Sequence, residues 1–433
     1  MTDAFESLVT PVPGPRSREL AQRLMQCEAP GVTYIADDFP VFWERAQGAL
    51  VVDVDGNRYL DLTSAFGVAS GGHTDPVVSA AIAEQAGRLI HGMGDVHPTE
   101  VRVRLLEVLA RLAPGDLAMS YLSTSGADAV EFALKTAHLA TGKPRVIAYD
   151  GAYHGLSLGA LEVVGIEKFR APFAPLVAQR ATLLPYPGAA DDCEAALDAL
   201  ASALAHDPQA GAVILEPIQG RGGVIVPPAG FLRGVRALCD ARGVLLILDE
   251  IYTGFGRTGT TFACEAEGVV PDLLCVGKGL GGGLPLAATI GSARVMGAWP
   301  KTDGEALHTA TFMGNPLACV AALANLEQIE GRDLAARARN DGPALGARLE
   351  GLRRFCHVSD VRGRGFLWAV EFPRAQTAQA VVVAALQRGL ILLQSGPTGT
   401  SVTLAPPLTI GEEQLARALT LFEQTLEKTE PIR

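Results

Sequence analysis

The chain has 433 residues, of which 48% are hydrophobic and 19% charged; this excludes a disordered protein and allows more than one domain. Its formal net charge of −11 at pH 7 argues against nucleic acid or an anionic membrane as a partner. Seven scattered cysteines, with no Cys-x-x-Cys pair, predict reduced thiols in the cytoplasm and argue against both a disulfide framework and a zinc or other metal site.

The N-terminal segment MTDAFESLVTPVPGP lacks the basic flank and the apolar core of a signal peptide. No uninterrupted apolar run in the chain is long enough to span a bilayer. We expect a tail and then a helix from about Arg16 to Cys27. The stretch PVFWERAQGALVVDVDGNRYLDLTSAF follows, and its alternating segments around Asp55-Gly56 predict a β-meander or hairpin.

Strand and helix patterns alternate between Asp75 and Glu327, which predicts an α/β domain with a largely parallel sheet. After about Glu330 the order changes to helix, strand pair, helix, strand and helix. We therefore expect a large domain (66–330) and a smaller domain (331–433) to which the N-terminal segment (1–65) contributes. The predicted strands are RVIAYD (145–150), AVILEP (212–217), VLLILDE (244–250) and LAATIGS (286–292), and the predicted helices include PVVSAAIAEQAGRLI, TEVRVRLLEVLARL, ADAVEFALKTAHLA and FLRGVRALCDARG.

The stretch from Val244 to Leu286 carries the strongest chemical signal. VLLILDE is typical of a buried parallel strand whose carboxyl end, at Asp249 and Glu250, opens into a site. A second apolar run, DLLCVGKGLGGGLPL, contains Lys278 with glycines on both sides of it. Glycines have no side chains that would crowd the lysine amine. A lysine and a carboxylate at two strand ends suit pyridoxal phosphate chemistry, in which the lysine forms a Schiff base and the carboxylate pairs with the pyridinium nitrogen.

Two other interpretations of this stretch compete. Asp249-Glu250 could cap a helix, and GKGLGGG could be a flexible loop or a nucleotide-binding turn. A Walker A loop needs Ser or Thr after its lysine, whereas Gly279 follows here. A Rossmann fingerprint should open the first βαβ unit of a chain, and this stretch lies far downstream.

Further stretches in the middle region supply what such a site needs. Ser125, Gly126 and Ala127 stand directly before a predicted helix, where free N–H groups and the helix dipole hold a phosphate, although Ser125 could be an ordinary N-cap. Tyr153 and His154 follow a predicted strand end, and a flat aromatic ring there could stack on a pyridine ring.

Two more polar residues are candidates for the same cleft. Glu216 ends the predicted strand AVILEP, so we expect it at the rim of the cleft. Thr311, in LHTATFMGNPLA, has a hydroxyl that could donate to a phosphate, and Asn315-Pro316 begins a helix shortly after it.

Taken together, the segments SGADA, AYHG, LEPIQG, LDEIYTGFGRTG, GKGLGGGLPL and TATFMGNPLA resemble the class III pyridoxal-phosphate-dependent aminotransferases of fold type I, in order and spacing. The resemblance covers nearly the whole chain. It implies a fold type I α/β architecture, a large domain with a mostly parallel central sheet plus a smaller α+β domain, with pyridoxal 5'-phosphate as the cofactor.

Position by position, the resemblance implies roles for individual residues. Lys278 looks like the Schiff-base lysine and Asp249 like the partner of the pyridinium nitrogen. Gly126 and Ala127 look like the phosphate-holding backbone, and Tyr153 like the aromatic residue that stacks on the ring.

The resemblance also assigns residues near the substrate and the subunit interface. Glu216 matches a glutamate that in relatives often pairs with an arginine near the substrate, and Phe66 matches a pocket-lining position. Thr311 matches a threonine that reaches the phosphate from the neighbouring subunit, which implies a homodimer at least, or a dimer of dimers, with shared sites. The implied reaction is amino transfer between a small-molecule amine donor and an oxo-acid acceptor by a ping-pong mechanism.

Three positions depart from the family pattern. Tyr252 stands where many relatives have Gln next to the cofactor's ring hydroxyl, and Ala127 has no hydroxyl where Ser or Thr is common. Thr403, in VTLAPPLTI, stands where relatives that use 2-oxoglutarate usually have an arginine, so we expect a monocarboxylate such as pyruvate to be favoured unless Arg362 or Arg364 compensates. A racemase or epimerase, a decarboxylase and a non-catalytic binding protein on the same scaffold remain alternatives.

Overall fold

The computed structural model of the protein describes residues 5–429; residues 1–4 and 430–433, which include the start of the predicted N-terminal tail, lie outside the described residues. The strands are β1 (Trp43–Gln47), β2 (Leu50–Asp53), β3 (Arg58–Asp61), β4 (Leu117–Ser123), β5 (Arg145–Tyr149), β6 (Ala181–Leu184), β7 (Ala210–Leu215), β8 (Leu245–Asp249), β9 (Leu273–Val276), β10 (Ala287–Ser292), β11 (Asp360–Arg364), β12 (Leu367–Glu371), β13 (Leu390–Ile391), β14 (Leu393–Ser395) and β15 (Ser401–Leu404).

The helices are α1 (Pro15–Cys27), α2 (Ser64–Gly67), α3 (Pro76–Ala86), α4 (Glu100–Leu112), α5 (Gly126–Thr141), α6 (Leu158–Leu161), α7 (Glu167–Arg170), α8 (Cys193–His206), α9 (Phe231–Arg242), α10 (Ala293–Met296), α11 (Pro316–Gly331), α12 (Leu334–Glu350), α13 (Ala375–Leu386) and α14 (Glu412–Lys428), with short 3-10 turns at Ala171–Leu176, Ala263–Glu267, Lys278–Leu280 and Gly351–Arg354. Within residues 5–429, no helix has both the length and the apolar character needed to cross a bilayer.

A seven-stranded sheet with the order β4-β10-β9-β8-β7-β5-β6 forms the centre of the molecule. Strands β9, β8, β7, β5 and β6 pair in parallel, whereas β10 is antiparallel to both of its neighbours. This confirms the predicted α/β architecture with a mostly parallel sheet. The four predicted strands correspond to β5, β7, β8 and β10, while β4 and β6 were not among the strand predictions.

The interior position of β7 and β8 explains why their sequences are continuous apolar runs. Every residue of both strands is buried, as expected for parallel strands covered by helices on both faces. In the register of the two strands, Leu215 pairs with Leu248, so Glu216 and Asp249 follow at the same edge of the sheet. Strands β4, β5 and β9 end at that edge as well, because they run in the same direction.

Two smaller four-stranded sheets flank the centre. The first has the order β1-β2-β3-β13 and contains the predicted meander around Asp55-Gly56; the second has the order β11-β12-β15-β14. The parallel pairing of Leu390 in β13 with Leu60 in β3 joins the N-terminal segment to the C-terminal region. The division of the chain near residues 65 and 330 stays a prediction.

A buried arginine connects the loop after β8 to three segments that are distant in sequence. Arg257 is fully buried, and its guanidinium donates to the carbonyl oxygens of Phe366 at 3.2 Å and Pro406 at 2.5 Å, and to the Ser70 hydroxyl at 3.0 Å. Within residues 5–429 it has no ion pair with a carboxylate, and burial lowers its pKa to about 10. Carbonyl and hydroxyl acceptors therefore hold distant segments around this one cation.

Candidate active site

A cavity of about 490 Å³ lies at the edge of the central sheet where β4, β5, β7, β8 and β9 end. Ligand sites of open α/β sheets lie outside the carboxyl ends of their strands. Most of the residues predicted for the site line this cavity together, namely Ser125, Gly126, Ala127, Tyr153, His154, Glu216, Asp249, Tyr252 and Lys278. Apolar residues that the sequence analysis did not identify complete the wall, among them Val68, Leu156, Ile251, Leu284 and Leu286.

Asp249 and His154 form a buried pair on the floor of the cavity. His154 Nδ1 lies 2.7 Å from Asp249 Oδ2, and the other carboxylate oxygen accepts from the Ile251 N–H at 3.0 Å. Burial favours a neutral imidazole, but the hydrogen bond and the charge of Asp249 outweigh it and raise the pKa of His154. The contact with Asp249 therefore favours the imidazolium form of His154.

Glu216 binds two backbone segments rather than an arginine. Its Oε1 accepts from the Tyr153 N–H at 3.0 Å and its Oε2 from the Gly220 N–H at 2.8 Å. Among residues 5–429 no arginine forms an ion pair with it. Burial raises the pKa of this carboxyl group, and the His154 charge opposes that effect. Glu216 thereby ties the loop after β5 to the loop after β7.

Lys278 follows β9 in a strained backbone conformation. Its φ of +38° lies in the left-handed region, which costs roughly 1–3 kcal/mol for a residue with a side chain and occurs mainly at functional sites. Burial lowers the pKa of its amine; Asp249 and Glu216 oppose this effect, and the charge of Arg221 adds to it. The amine of Lys278 is therefore more readily deprotonated than that of an ordinary lysine.

The ring of Tyr252 forms one wall next to Lys278. Lys278 Nζ lies 4.2 Å from the ring centroid, within the range of a cation–π contact. The ring is packed between Gly67 and Gly220, where an added Cβ on either glycine would overlap it. The Tyr252 hydroxyl is buried and has no hydrogen-bond partner within residues 5–429, and burial raises its pKa to about 12.

The N-terminus of α5 faces the cavity with free donors. Ser125 acts as the N-cap, since its Oγ accepts from the Asp128 N–H at 3.2 Å. The N–H groups of Gly126 and Ala127 have no acceptor within the described chain. A Cβ on Gly126 would lie 2.7 Å from Ile251 Cδ1, so a glycine lets Ile251 approach the helix start closely. Two free N–H groups at the positive end of a helix dipole suit a phosphate.

The residues at the cavity fit pyridoxal phosphate. Gly126 and Ala127 offer phosphate donors, Tyr153 offers a flat ring, and Asp249 offers a carboxylate held in place by two hydrogen bonds. The buried His154 Nε2 has no partner within residues 5–429. No cluster of three or more His, Cys, Asp or Glu residues in the same range could hold a metal ion.

Three residues predicted for the site lie away from this cavity. Phe66 is 56% exposed and lines a separate apolar cavity of about 290 Å³ with Trp43. Thr403 is buried in β15, and its hydroxyl is 2.6 Å from that of Ser395. Thr311 is exposed on the surface of the single chain. Neither Phe66 nor Thr403 is among the residues that line the cavity of this chain, and their roles at the substrate stay predictions.

An arginine that the sequence analysis did not identify stands beside the site. The guanidinium of Arg221 lies 6.0 Å from the ring centroid of Tyr153 and 5.8 Å from that of Phe169. Arg221 directly follows the motif LEPIQG in the sequence. A positively charged residue next to a motif assigned to the site is the sequence signal that could have identified it. By contrast, Arg362 is bound to Asp360 and Glu371 at 2.9 and 2.6 Å.

Comparisons with known proteins agree with this geometry. The Aminotransferase class-III family profile matches residues 33–426. A 4-aminobutyrate aminotransferase of Mycobacterium leprae (strain TN) is 41% identical over 98% of this chain and 99% of its own length. A putrescine aminotransferase of Pectobacterium atrosepticum is 40% identical over 92% of this chain and 84% of its own. The structure of an amine transaminase from an uncultivated Pseudomonas species in its pyridoxal phosphate-bound form superimposes with a TM-score of 0.85, at 31% identity, over 93% of this chain and 98% of that chain.

The buried His154–Asp249 pair generates a prediction about pH. Because the folded-state pKa of His154 is raised above its ordinary value of 6.5, its contribution to stability is fully present below pH 6.5 and is lost as pH rises through the raised pKa. Replacing His154 by Gln should therefore lower the free energy of unfolding by about 3 kcal/mol below pH 6.5, and by less at alkaline pH. Chemical denaturation of the wild type and of His154→Gln, below pH 6.5 and at alkaline pH, measures the difference.

His357→Gln is the matched control for this measurement. Burial lowers the pKa of His357, so the pH-dependent contribution of this histidine has the opposite sign: it is present above pH 6.5 and is lost as pH falls through the lowered pKa. A His154 difference that is independent of pH, or that follows the His357 curve, would contradict the pairing.

Proposed function

Because this chain belongs to the class III aminotransferases, we propose that it uses pyridoxal 5'-phosphate to move an amino group between a primary amine or amino acid and a small oxo acid. The observation that carries this proposal is the convergence of Lys278, Asp249 and the N-terminus of α5 on one cavity. A lysine, a buried carboxylate and a phosphate site are the three elements that this chemistry requires.

The residues of the cavity have distinct binding roles in this proposal. The N–H groups of Gly126 and Ala127 hold the phosphate, supported by the dipole of α5. Tyr153 covers one face of the ring, and Asp249 pairs with the ring nitrogen. His154 and the Ile251 N–H orient that carboxylate. Tyr252 contributes its ring face next to Lys278.

The proton transfers are assigned to Lys278. When bound, pyridoxal phosphate withdraws electrons from the amine-bearing carbon of the substrate and makes its C–H bond acidic. The amine of Lys278, whose pKa burial lowers, accepts that proton at Nζ and returns it elsewhere on the reacting molecule. Asp249, oriented by His154, pairs with the ring nitrogen and favours its protonated form.

One cavity serves both substrates in turn, which supports a ping-pong sequence. The donor leaves as a ketone or aldehyde before the acceptor enters. Thr403 has a neutral hydroxyl, which is hydrogen-bonded to Ser395, so it provides no cation for a second carboxylate. Arg362 is already bound to two carboxylates of the protein. Both observations support pyruvate over 2-oxoglutarate as the acceptor.

We also propose a homodimer, or a dimer of dimers, in which Thr311 reaches the phosphate site of a second copy. Thr311 is exposed and does not line the cavity of its own chain, and exposed apolar side chains lie on the two segments that meet next to it. Phe312 is 60% exposed and Ile90 61%, and the Asn315 side chain donates to the Ile90 carbonyl oxygen at 3.1 Å. Contiguous apolar surface of this kind commonly marks a protein–protein interface.

All seven cysteines are free thiols, which supports a cytoplasmic location.

A prediction about the cofactor tests the roles of Lys278 and Asp249. The wild-type protein incubated with pyridoxal phosphate should acquire a visible absorbance, and borohydride reduction should fix the cofactor mass to the peptide that carries Lys278. Lys278→Ala should abolish both signals. Asp249→Asn should keep the cofactor bound yet lower kcat by roughly 10² or more, since the carboxylate acts on the chemical step.

Lys301→Ala, at an exposed lysine, is the control and should leave the absorbance and the labelled peptide unchanged. A wild-type protein that stays colourless would disprove the cofactor assignment. Near-normal turnover of Asp249→Asn would show that another group pairs with the ring nitrogen.

A second prediction concerns the shared site. If Thr311 serves the neighbouring copy, mixing Lys278→Ala chains with impaired Thr311→Val chains should restore activity, because each hybrid dimer has one site with both residues intact. With complete random exchange, recovery should reach about a quarter of wild type per chain, since half of the dimers are hybrids. Native mass spectrometry verifies the exchange. No recovery despite hybrid dimers and an impaired Thr311→Val homodimer would mean that the site is not shared.

A third prediction concerns the acceptor. With one good amine donor, kcat/KM should be higher for pyruvate than for 2-oxoglutarate, because a second buried carboxylate without a cation is costly. Steady-state kinetics with both acceptors measures the ratio. A clear preference for 2-oxoglutarate would show that another cation takes the place of the arginine usual at position 403.

A further inference from the structure

The Arg221 side chain is a cation without a polar partner next to Tyr153, a wall residue of the active-site cavity; Arg221 itself stands behind that wall residue and is not part of the lining. Within residues 5–429 its guanidinium makes no hydrogen bond and no ion pair, and its contacts are with the rings of Tyr153 and Phe169. Tyr153 itself lines the cavity. A guanidinium over an aromatic ring keeps its N–H donors free, because those donors lie in its own plane.

The backbone around this side chain is held at several points. The Glu216 carboxylate accepts from the Gly220 N–H at 2.8 Å, and the Arg221 carbonyl oxygen accepts from the Gly396 N–H at 2.9 Å. Two hydrogen bonds of 3.0 Å between Gln219 and Ile225 close the loop. Arg221 therefore combines a fixed backbone with a free charged group, so little ordering would accompany the binding of an anion.

Other charges near the site are already compensated. His154 is paired with Asp249, and both oxygens of Glu216 accept from backbone N–H groups, so Glu216 is not bonded to Arg221. The charge of Arg221 reaches the cavity, since it lowers the pKa of Lys278. The charge of Arg364 instead acts on Tyr186, which does not line the cavity.

We propose that Arg221 binds the carboxylate of the oxo-acid acceptor and takes the role for which Thr403 lacks a cation. A planar guanidinium can bind a carboxylate through two parallel, charge-assisted hydrogen bonds. One free guanidinium matches one carboxylate, which gives the expected pyruvate preference a structural cause. The inference rests on the proposed amino transfer and deepens it by naming the residue that recognises the acceptor.

The test compares acceptors with and without a carboxylate on the cofactor-loaded enzyme. Arg221→Gln should lower kcat/KM for pyruvate by about 10- to 100-fold, the loss expected for a hydrogen bond to a charged group. The same variant should change kcat/KM for propanal, an uncharged acceptor of similar size, less than about twofold, because that acceptor makes no such bond. Arg221→Lys should recover part of the pyruvate activity, since it restores the charge but not the planar fork.

A binding measurement separates recognition from turnover. Calorimetric titration with propionate, which has the carboxylate of pyruvate without its reactive carbonyl, should show binding to the wild-type enzyme that Arg221→Gln weakens by a similar factor. Propionamide, the uncharged analogue, should not distinguish the two proteins. Arg294→Gln, a change at an exposed arginine paired with Asp272, is the matched control and should behave as wild type throughout.

The outcomes distinguish this inference from the proposed function. If the wild-type enzyme transfers amino groups but Arg221→Gln affects pyruvate and propanal equally, or leaves propionate binding unchanged, the assignment of Arg221 is wrong while amino transfer stands. If the wild-type enzyme transfers no amino group to either acceptor from any of a range of donors, the proposed function fails first. A loss of pyruvate selectivity in Arg364→Gln with none in Arg221→Gln would reassign the carboxylate site to Arg364.

Discussion

The buried contact between Asp249 and His154 is the interaction on which the site depends. A carboxylate without a partner at the end of a buried strand would lose its hydration without compensation, at a cost of several kcal/mol. His154 supplies a counter-charge at 2.7 Å, and the Ile251 N–H occupies the other oxygen. The position of His154 after β5 is in turn fixed by Glu216, which bonds the neighbouring Tyr153 N–H. Three strand ends are thus joined, by the charge pair of His154 with Asp249 and by the backbone N–H groups that Glu216 binds.

A second set of contacts keeps the surrounding segments in register with those strand ends. Arg257 collects carbonyl and hydroxyl oxygens from segments far apart in sequence, among them Ser70, Phe366 and Pro406. Burial lowers the pKa of Arg257 to about 10, so the guanidinium is still charged at neutral pH. Its acceptors are neutral oxygens from several segments instead of one carboxylate, so it binds those segments to one another. Ser70 also donates to the Gly67 carbonyl oxygen at 2.8 Å, so this network extends to the glycine that packs against Tyr252.

Much of this arrangement could be predicted from the sequence because it rests on strong local patterns. Continuous apolar runs marked β7 and β8, and the carboxylates at their ends marked the edge at which the site forms. Strands β4 and β6 were missed for a physical reason. They lie at the two edges of the sheet, where β4 has partly exposed residues and β6 has only four residues, none of them fully buried. Their apolar patterns are correspondingly weak.

The positions of Phe66, Thr403 and Arg221 could not be predicted in the same way. Each depends on how distant loops pack rather than on local periodicity. Phe66 follows Ser64 and Ala65, and all three have a positive φ, a backbone path that no apolar pattern signals. Thr403 faces Ser395 through the pairing of β14 with β15. Arg221 meets Tyr153 only because Glu216 holds both of their loops.

The packing of Tyr252 between Gly67 and Gly220 couples three positions that lie far apart in sequence. A side chain at either glycine would overlap the tyrosine ring. At position 67 the φ of +83° is a second restriction, which a smaller residue at position 252 would not relieve. Position 220 should therefore change together with position 252 during divergence, whereas position 67 should stay glycine. A homologous scaffold that receives the tyrosine must carry glycine at both positions, because a side chain added at position 67 or 220 alone would displace the ring from its place next to Lys278.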